Sequence, residues 1–245
     1  MPALLVDSEE LRFKLLLFDL DGTLIDDADR YKNLAALRFE ALIMMAGRVA
    51  AETWAPLGGY NWKTKIIDMN GAIGKASRRE DMAIAAAAIY TTGRSWHDAR
   101  KLAEQAYSEA DVVQMKNYTP RLFSGTEEVL RRVKDVGFSL GVATNGPSAI
   151  TDELLGILNI RELFGVIAGS DEAPNPKPAP DLLQMACRKA GVSPSEVVYV
   201  GDQPVDAEAA EAAGFLASII VGPAKVESFR GVHRLSAVAD LVASV

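Results

Sequence analysis

The chain has 245 residues, 49% of them apolar, with 33 acidic against 26 basic side chains and a formal charge of −7. Such a chain can bury a large core and need not be disordered; its acidic balance argues against a nucleic-acid or anionic-membrane surface and favours a small-molecule partner. The single cysteine, Cys187, cannot close an internal disulfide, and within "DLLQMACRKAG" it reads as a buried helical thiol in a reducing compartment.

The opening residues, "MPALLVDSEELRFK", contain acids and lack a basic stretch followed by a long apolar run, so no secretory signal is read there. No later run is long enough to span a bilayer, and a cytoplasmic monomer or homodimer is expected. The first strand is "KLLLFDLDG". Residues 26–119 then carry helical patterns without convincing strands: "DADRYKNLAALRFEALIMMAG", a Gly- and aromatic-rich "LGGYNWKTKIIDMNGAIGK", "REDMAIAAAAIY" and "SWHDARKLAEQAYSEADVV", the last with Ser95 and Asp98 at N-cap spacing. Here Trp54, Tyr60 and Trp62 read as packing residues, Lys63, Lys65, Lys75, Arg78 and Arg79 as a solvated basic face, and His97 as a surface residue. A crossover this long exceeds a simple βαβ unit, so residues 26–119 are expected to form an inserted helical cap. Its hinges fall near residues 26–30 and 118–124, within a core made of residues 1–25 and 120–245.

After the insertion, "SGTEEVLRRVKDVG" has Ser124 and Glu127 at capping-box spacing and Gly137 at its end. "PAPDLLQMACRKAG" stops likewise at Gly191 and "VDAEAAEAAG" at Gly214. Between these helices lie "FSLGVATNG", "FGVIAGSD", "EVVYVGDQ" and "FLASIIVG". Runs apolar on both faces, alternating with amphipathic helices, predict an α/β fold with a Rossmann-like parallel sheet.

In open parallel sheets the ligand lies beyond the carboxyl ends of the strands, and the polar residues cluster there. Asp19 and Asp21 follow the first run, Thr144 and Asn145 the second, Lys177 sits in the Pro-rich loop after the third, and Asp202 and Asp206 follow "VVYVG". Two carboxylates at the end of a buried strand repel each other and are costly to desolvate, so they are expected to serve a cation or a reaction.

The set "DLDGT", "ATNG", "NPKPAPD" and "VGDQPVD" resembles the four motifs of the haloacid dehalogenase superfamily, in the branch with a helical cap after the first strand, similar to phosphoglycolate phosphatases. The likeness covers the core; the cap matches in position and helical character only. It implies a phosphatase of small phosphorylated metabolites, phosphoglycolate first among them, that depends on Mg²⁺ and passes through an aspartyl-phosphate. Asp19 would be the nucleophile and Asp21 the general acid and base. Lys177 would hold the nucleophile and the transferring group, and the Thr144 hydroxyl would bind a phosphoryl oxygen with the Asn145 backbone N–H or side chain assisting. Asp19 and Asp202 would ligate the metal with the carbonyl of Asp21, and Asp206 would orient a metal-bound water or complete the shell. Charge explains the requirement: a phosphate dianion and a carboxylate 4 Å apart repel by roughly 4 kcal/mol per pair of unit charges at intermediate dielectric. Dehalogenating and phosphonate-cleaving relatives lack the carboxylate found at Asp21, which favours ester chemistry. The cap would close over the site and read the leaving group. A sugar-phosphate phosphomutase of the β-phosphoglucomutase kind and a non-catalytic binding or regulatory protein of the same fold stand as alternatives.

Overall fold

A computed structural model describes residues 3–6, 9–76, 78–224 and 231–244. Two compact units emerge, Met1–Asp26 with Pro120–Val245, and Asp27–Thr119.

The chain begins with β1 (Ala3–Val6), β2 (Glu9–Arg12) and β3 (Leu15–Phe18), the last buried along its whole length. It then enters the second unit, built from α1 (Ala28–Ala46), α2 (Arg48–Gly58), the two-residue antiparallel strands β4 (Tyr60–Asn61) and β5 (Ile66–Ile67), α3 (Ala72–Lys75), α4 (Arg78–Tyr90) and α5 (Trp96–Asn117). Its core is set by Leu42, Trp54, Ile89 and Tyr107 together with small residues, Ala85, Ala99, Ala103 and Ala106, that let helix backbones pack closely. Ser95 caps α5 as its spacing with Asp98 predicts: the Asp98 N–H donates to Ser95 Oγ at 3.1 Å, and that hydroxyl donates to the Asp98 carboxylate at 2.7 Å. Trp54 and Tyr60 are buried and Trp62 packs partly buried against the same core, stacking on Phe39.

This unit also holds a polar network with no conspicuous motif. The Arg38 guanidinium pairs with Asp81 at 2.6 Å and lies 4.2 Å from the centre of the Tyr107 ring. Trp54 Nε1–H donates to the Tyr107 hydroxyl, which donates to the Asp81 carbonyl. Burial pushes the Asp81 carboxyl up against the opposing pull of Arg38.

Back in the first unit follow α6 (Thr126–Asp135), β6 (Ser139–Thr144), α7 (Ser148–Ile157), β7 (Phe164–Gly169), α8 (Asp181–Ala190), β8 (Val197–Gly201), α9 (Pro204–Ala213), β9 (Ala217–Val221), β10 (Val232–Leu235) and β11 (Val242–Ser244). Six strands form one parallel sheet in the order β10-β9-β8-β3-β6-β7. The five runs expected from the sequence are all in it. The chain proceeds outward from β3 through β6 to β7, then restarts on the other side at β8, which makes the end of β3 the switch point where α/β sheets bind ligands.

Gly191 and Gly214 end α8 and α9 in the left-handed conformation, as expected. The start of α6 differs. Gly125, at φ +78, turns the chain into Thr126 with no side-chain cap, and Glu127 pairs instead with Arg131 at 3.0 Å. A glycine that reaches positive φ without a Cβ penalty redirects the backbone before Ser124 can cap it. The N-terminal residues, which have no reading in the sequence, pair with the other end of the chain: β11, β1 and β2 form a separate antiparallel sheet, with Leu4 opposite Ala243 and Leu11. Among the described residues no helix is long and apolar enough to cross a membrane. Cys187 is buried on α8, and burial pushes its thiol up to about 11.

Candidate active site

Four loops converge at the carboxyl ends of β3, β6, β7 and β8. Asp19 directly follows β3, and its N–H still donates to Val200 of β8 at 2.8 Å, so its position is part of the sheet ladder. The chain then turns tightly: the N–H groups of Thr23, Leu24 and Ile25 all converge on the Leu20 carbonyl. Gly22 sits in that turn at φ +79, and a Cβ there would lie 2.7 Å from Asp202 Oδ2. Glycine is thus needed twice over, for the turn and for the approach of the carboxylate from the β8 loop.

Lys177 is the hub. Its ammonium, almost wholly buried, donates to Asp19 Oδ1 at 2.9 Å, Asp206 Oδ1 at 2.6 Å and the Tyr199 hydroxyl at 2.8 Å. Asp206, in the first turn of α9, uses its other oxygen to accept from the N–H groups of Asp202 and Gln203 at 3.1 and 2.9 Å, which moulds the loop carrying Asp202. Thr23 Oγ1 reaches Asp202 Oδ1 at 3.4 Å, long for a hydroxyl donor.

The carboxylates of Asp19, Asp202 and Asp206 offer ligand atoms within 4.8 Å of one another. The Asp21 carboxylate is not in that group, but it is near enough for its charge to act on Asp19. Asp19 and Asp206 face the same ammonium, and Asp21 adds its charge beside Asp19. Burial, opposed by Lys177 and assisted by Asp206 and Asp21, pushes the Asp19 carboxyl up to about 6. Burial alone would push the Lys177 ammonium down; Asp19 and Asp206 outweigh it and raise the group well above its ordinary value. The two shifts have different causes, loss of water around the Asp19 carboxyl and the attraction of two carboxylates for the Lys177 ammonium. Clustered hard carboxylate oxygens, with a glycine clearing space for one of them, fit a divalent cation.

Thr144 ends β6 with its side chain buried, and its Oγ1 accepts from the Gly146 N–H at 3.3 Å. Asn145 is exposed, and its side chain grips the Lys177 peptide: the Lys177 N–H donates to Asn145 Oδ1 at 2.9 Å, and Asn145 Nδ2 donates to the Lys177 carbonyl at 3.3 Å. Of the two Asn145 groups expected to assist at phosphate, the side chain is thereby engaged with the lysine loop. Ser148 is tied to the β7 loop in the same manner, its N–H and hydroxyl donating to the two oxygens of Asp171 at 2.7 and 2.9 Å. All seven residues singled out in the sequence lie in the first unit, at or beside this edge of the sheet. Tyr199 is the residue that sequence reasoning missed. In "VVYVG" it reads as one more apolar strand position, and only its hydroxyl distinguishes it.

The sequence matches the haloacid dehalogenase-like hydrolase family over residues 13–214. The chain belongs to that family. A phosphoglycolate phosphatase of Shigella boydii is 30% identical over 206 residues, covering 80% of this chain and 77% of the relative. Among solved structures, a chain described as a predicted phosphoglycolate phosphatase from Haemophilus somnus is 23% identical with a TM-score of 0.63, covering 91% of this chain and 88% of its own. A β-phosphoglucomutase from Clostridium difficile is 21% identical with a TM-score of 0.61, covering 86% and 85%. At these identities the two structures speak to fold, and hydrolases and mutases share it.

Proposed function

We propose that this protein is a Mg²⁺-dependent phosphatase of small phosphomonoesters, acting through a phosphorylated Asp19, with phosphoglycolate the first substrate to test. The observation that carries the reading is the Asp19 carboxylate itself, buried at a switch point, held by Lys177 at 2.9 Å and clustered with two further acids. The 30% identity to a phosphoglycolate phosphatase supports the substrate class.

In this reading an Asp19 oxygen forms a bond to phosphorus as the ester P–O bond breaks, and Asp21 gives its proton to the departing alkoxide. Asp21 then takes a proton from water as that water attacks phosphorus and the Asp19–phosphorus linkage breaks, releasing inorganic phosphate. Asp19 and Asp202, with the Asp21 carbonyl, would hold Mg²⁺. The cation supplies charge that lets a carboxylate approach a phosphate dianion. Asp206 holds the Asp202 loop and the ammonium and would orient a water on the cation. Thr144 Oγ1 would donate to a phosphoryl oxygen, with Asn145 beside it.

The test is phosphate release from phosphoglycolate, sugar phosphates and nucleotides with Mg²⁺, run beside an isomerisation assay on hexose phosphates. Turnover lost in Asp19→Asn and in EDTA, and regained with Mg²⁺, is the expected result. Isomerisation without phosphate release would identify a mutase, and full turnover in Asp19→Asn would remove the nucleophile from this account.

A further inference from the structure

We infer that Tyr199 is a positioning residue that fixes the direction of the Lys177 ammonium and, through it, the Asp19 carboxylate; its catalytic consequence rests on the function proposed above. An ammonium has three N–H donors and no acceptor. In Lys177 all three are engaged, with Asp19, Asp206 and Tyr199. Two of these acceptors are acids that the site needs for other work. The third is a neutral hydroxyl whose own proton is committed, because Tyr199 donates to the Ala143 carbonyl at 2.7 Å. The phenol oxygen therefore presents only lone pairs to the lysine, and its orientation is fixed by the sheet.

The strand order gives this contact its reach. Tyr199 lies on β8 and Ala143 on β6, with β3 between them. One hydroxyl thus joins the strand carrying Asp202, the strand leading to Thr144 and the lysine from the β7 loop, beside the strand that ends at Asp19. Asn145 clamps the same lysine at its peptide, so Lys177 is held at both ends. With no donor left over, Lys177 acts on the reaction by its charge and by its grip on Asp19 Oδ1. Removing the phenol oxygen would leave one buried charged N–H unsatisfied and free the ammonium to turn away from Asp19.

Tyr199→Phe tests this, since it keeps the ring that packs edge-on to Phe215 and deletes one oxygen. We expect kcat to fall about tenfold with KM changed by less than about twofold, as for loss of an interaction that orients the reacting groups. A second readout needs no turnover. In ¹⁵N-lysine NMR of the wild-type protein, one ammonium group should exchange slowly with water. It should vanish in Lys177→Arg and exchange at least about fivefold faster in Tyr199→Phe. Unchanged kcat in Tyr199→Phe, or a drop in melting temperature with ammonium exchange unaltered, would overturn the inference. Absence of a protected ammonium in the wild type would overturn it too, even if Tyr199→Phe failed to fold. A wild type that shows the protected ammonium but releases phosphate from no ester would instead sink the proposed function and leave the Lys177 anchorage standing.

Discussion

Replacing Asp19 by asparagine should make the metal-free protein more stable at neutral pH, because burial disfavours the ionised carboxyl more than Lys177 favours it. The folded protein raises the Asp19 carboxyl from an ordinary 3.8 to about 6. The sign follows from proton linkage: between those values the folded state keeps a proton that the unfolded chain has released, so stability falls as pH rises from about 4 to about 6 and stays lower above. At about 1.4 kcal/mol per unit, ionised Asp19 costs up to about 3 kcal/mol at pH 7.5, or roughly 6–12 °C in melting temperature for a chain of this size. Asparagine matches the protonated carboxyl in shape and keeps an oxygen for Lys177. The assay is thermal denaturation of both proteins in EDTA from pH 4.5 to 8, repeated with Mg²⁺. The variant should gain on the wild type as pH rises, and Mg²⁺ should close the gap by stabilising the wild type. A difference that is the same at pH 4.5 and 7.5, or a variant less stable than the wild type at pH 7.5 in EDTA, would refute the charge argument.

Asp21→Asn should lose about 10²–10⁴ in steady-state turnover yet still release one equivalent of nitrophenolate from p-nitrophenyl phosphate in a burst, since that leaving group departs without a proton. Failure to observe the burst and a trapped phosphoprotein counts against the division of labour between the two acids. Gly22→Ala, which would place a Cβ 2.7 Å from Asp202 Oδ2 in a left-handed turn, should raise the Mg²⁺ concentration for half-activity at least about tenfold; an unchanged metal titration would show that Asp202 does not ligate. In the helical unit, Arg38→Met strands a buried Asp81 and should cost about 3–5 kcal/mol in urea denaturation, while Arg38→Met with Asp81→Leu should recover much of that loss. Equal instability of the single and double variants would assign the cost to packing.

The core was legible wherever residue type changes abruptly. Asp19, Lys177, Asp202 and Asp206 are charges that end apolar runs or interrupt a Pro-rich loop, so both their chemistry and their place at strand ends can be read from the chain. What could not be read depends on partners remote in sequence. The Arg38–Asp81 pair spans 43 positions, the sheet of β1, β2 and β11 joins the two ends of the chain, and Asn145 meets Lys177 across 32 positions. The residue type at position 145 is conspicuous, but its partner is not. Ser124 shows the opposite failure, a correct cap signal overridden by the glycine that follows it.

Tyr199 belongs to the illegible class for a reason that bears on how the site is built. A third carboxylate facing Lys177 would have stood out in "VVYVG", and its repulsion would have added to the burial that already pushes Asp19 up to about 6. A neutral hydroxyl occupies the third N–H without adding charge, and burial pushes its own ionisation well above the ordinary range, so it stays neutral beside the ammonium. The arrangement holds the lysine with three acceptors while only two are anionic.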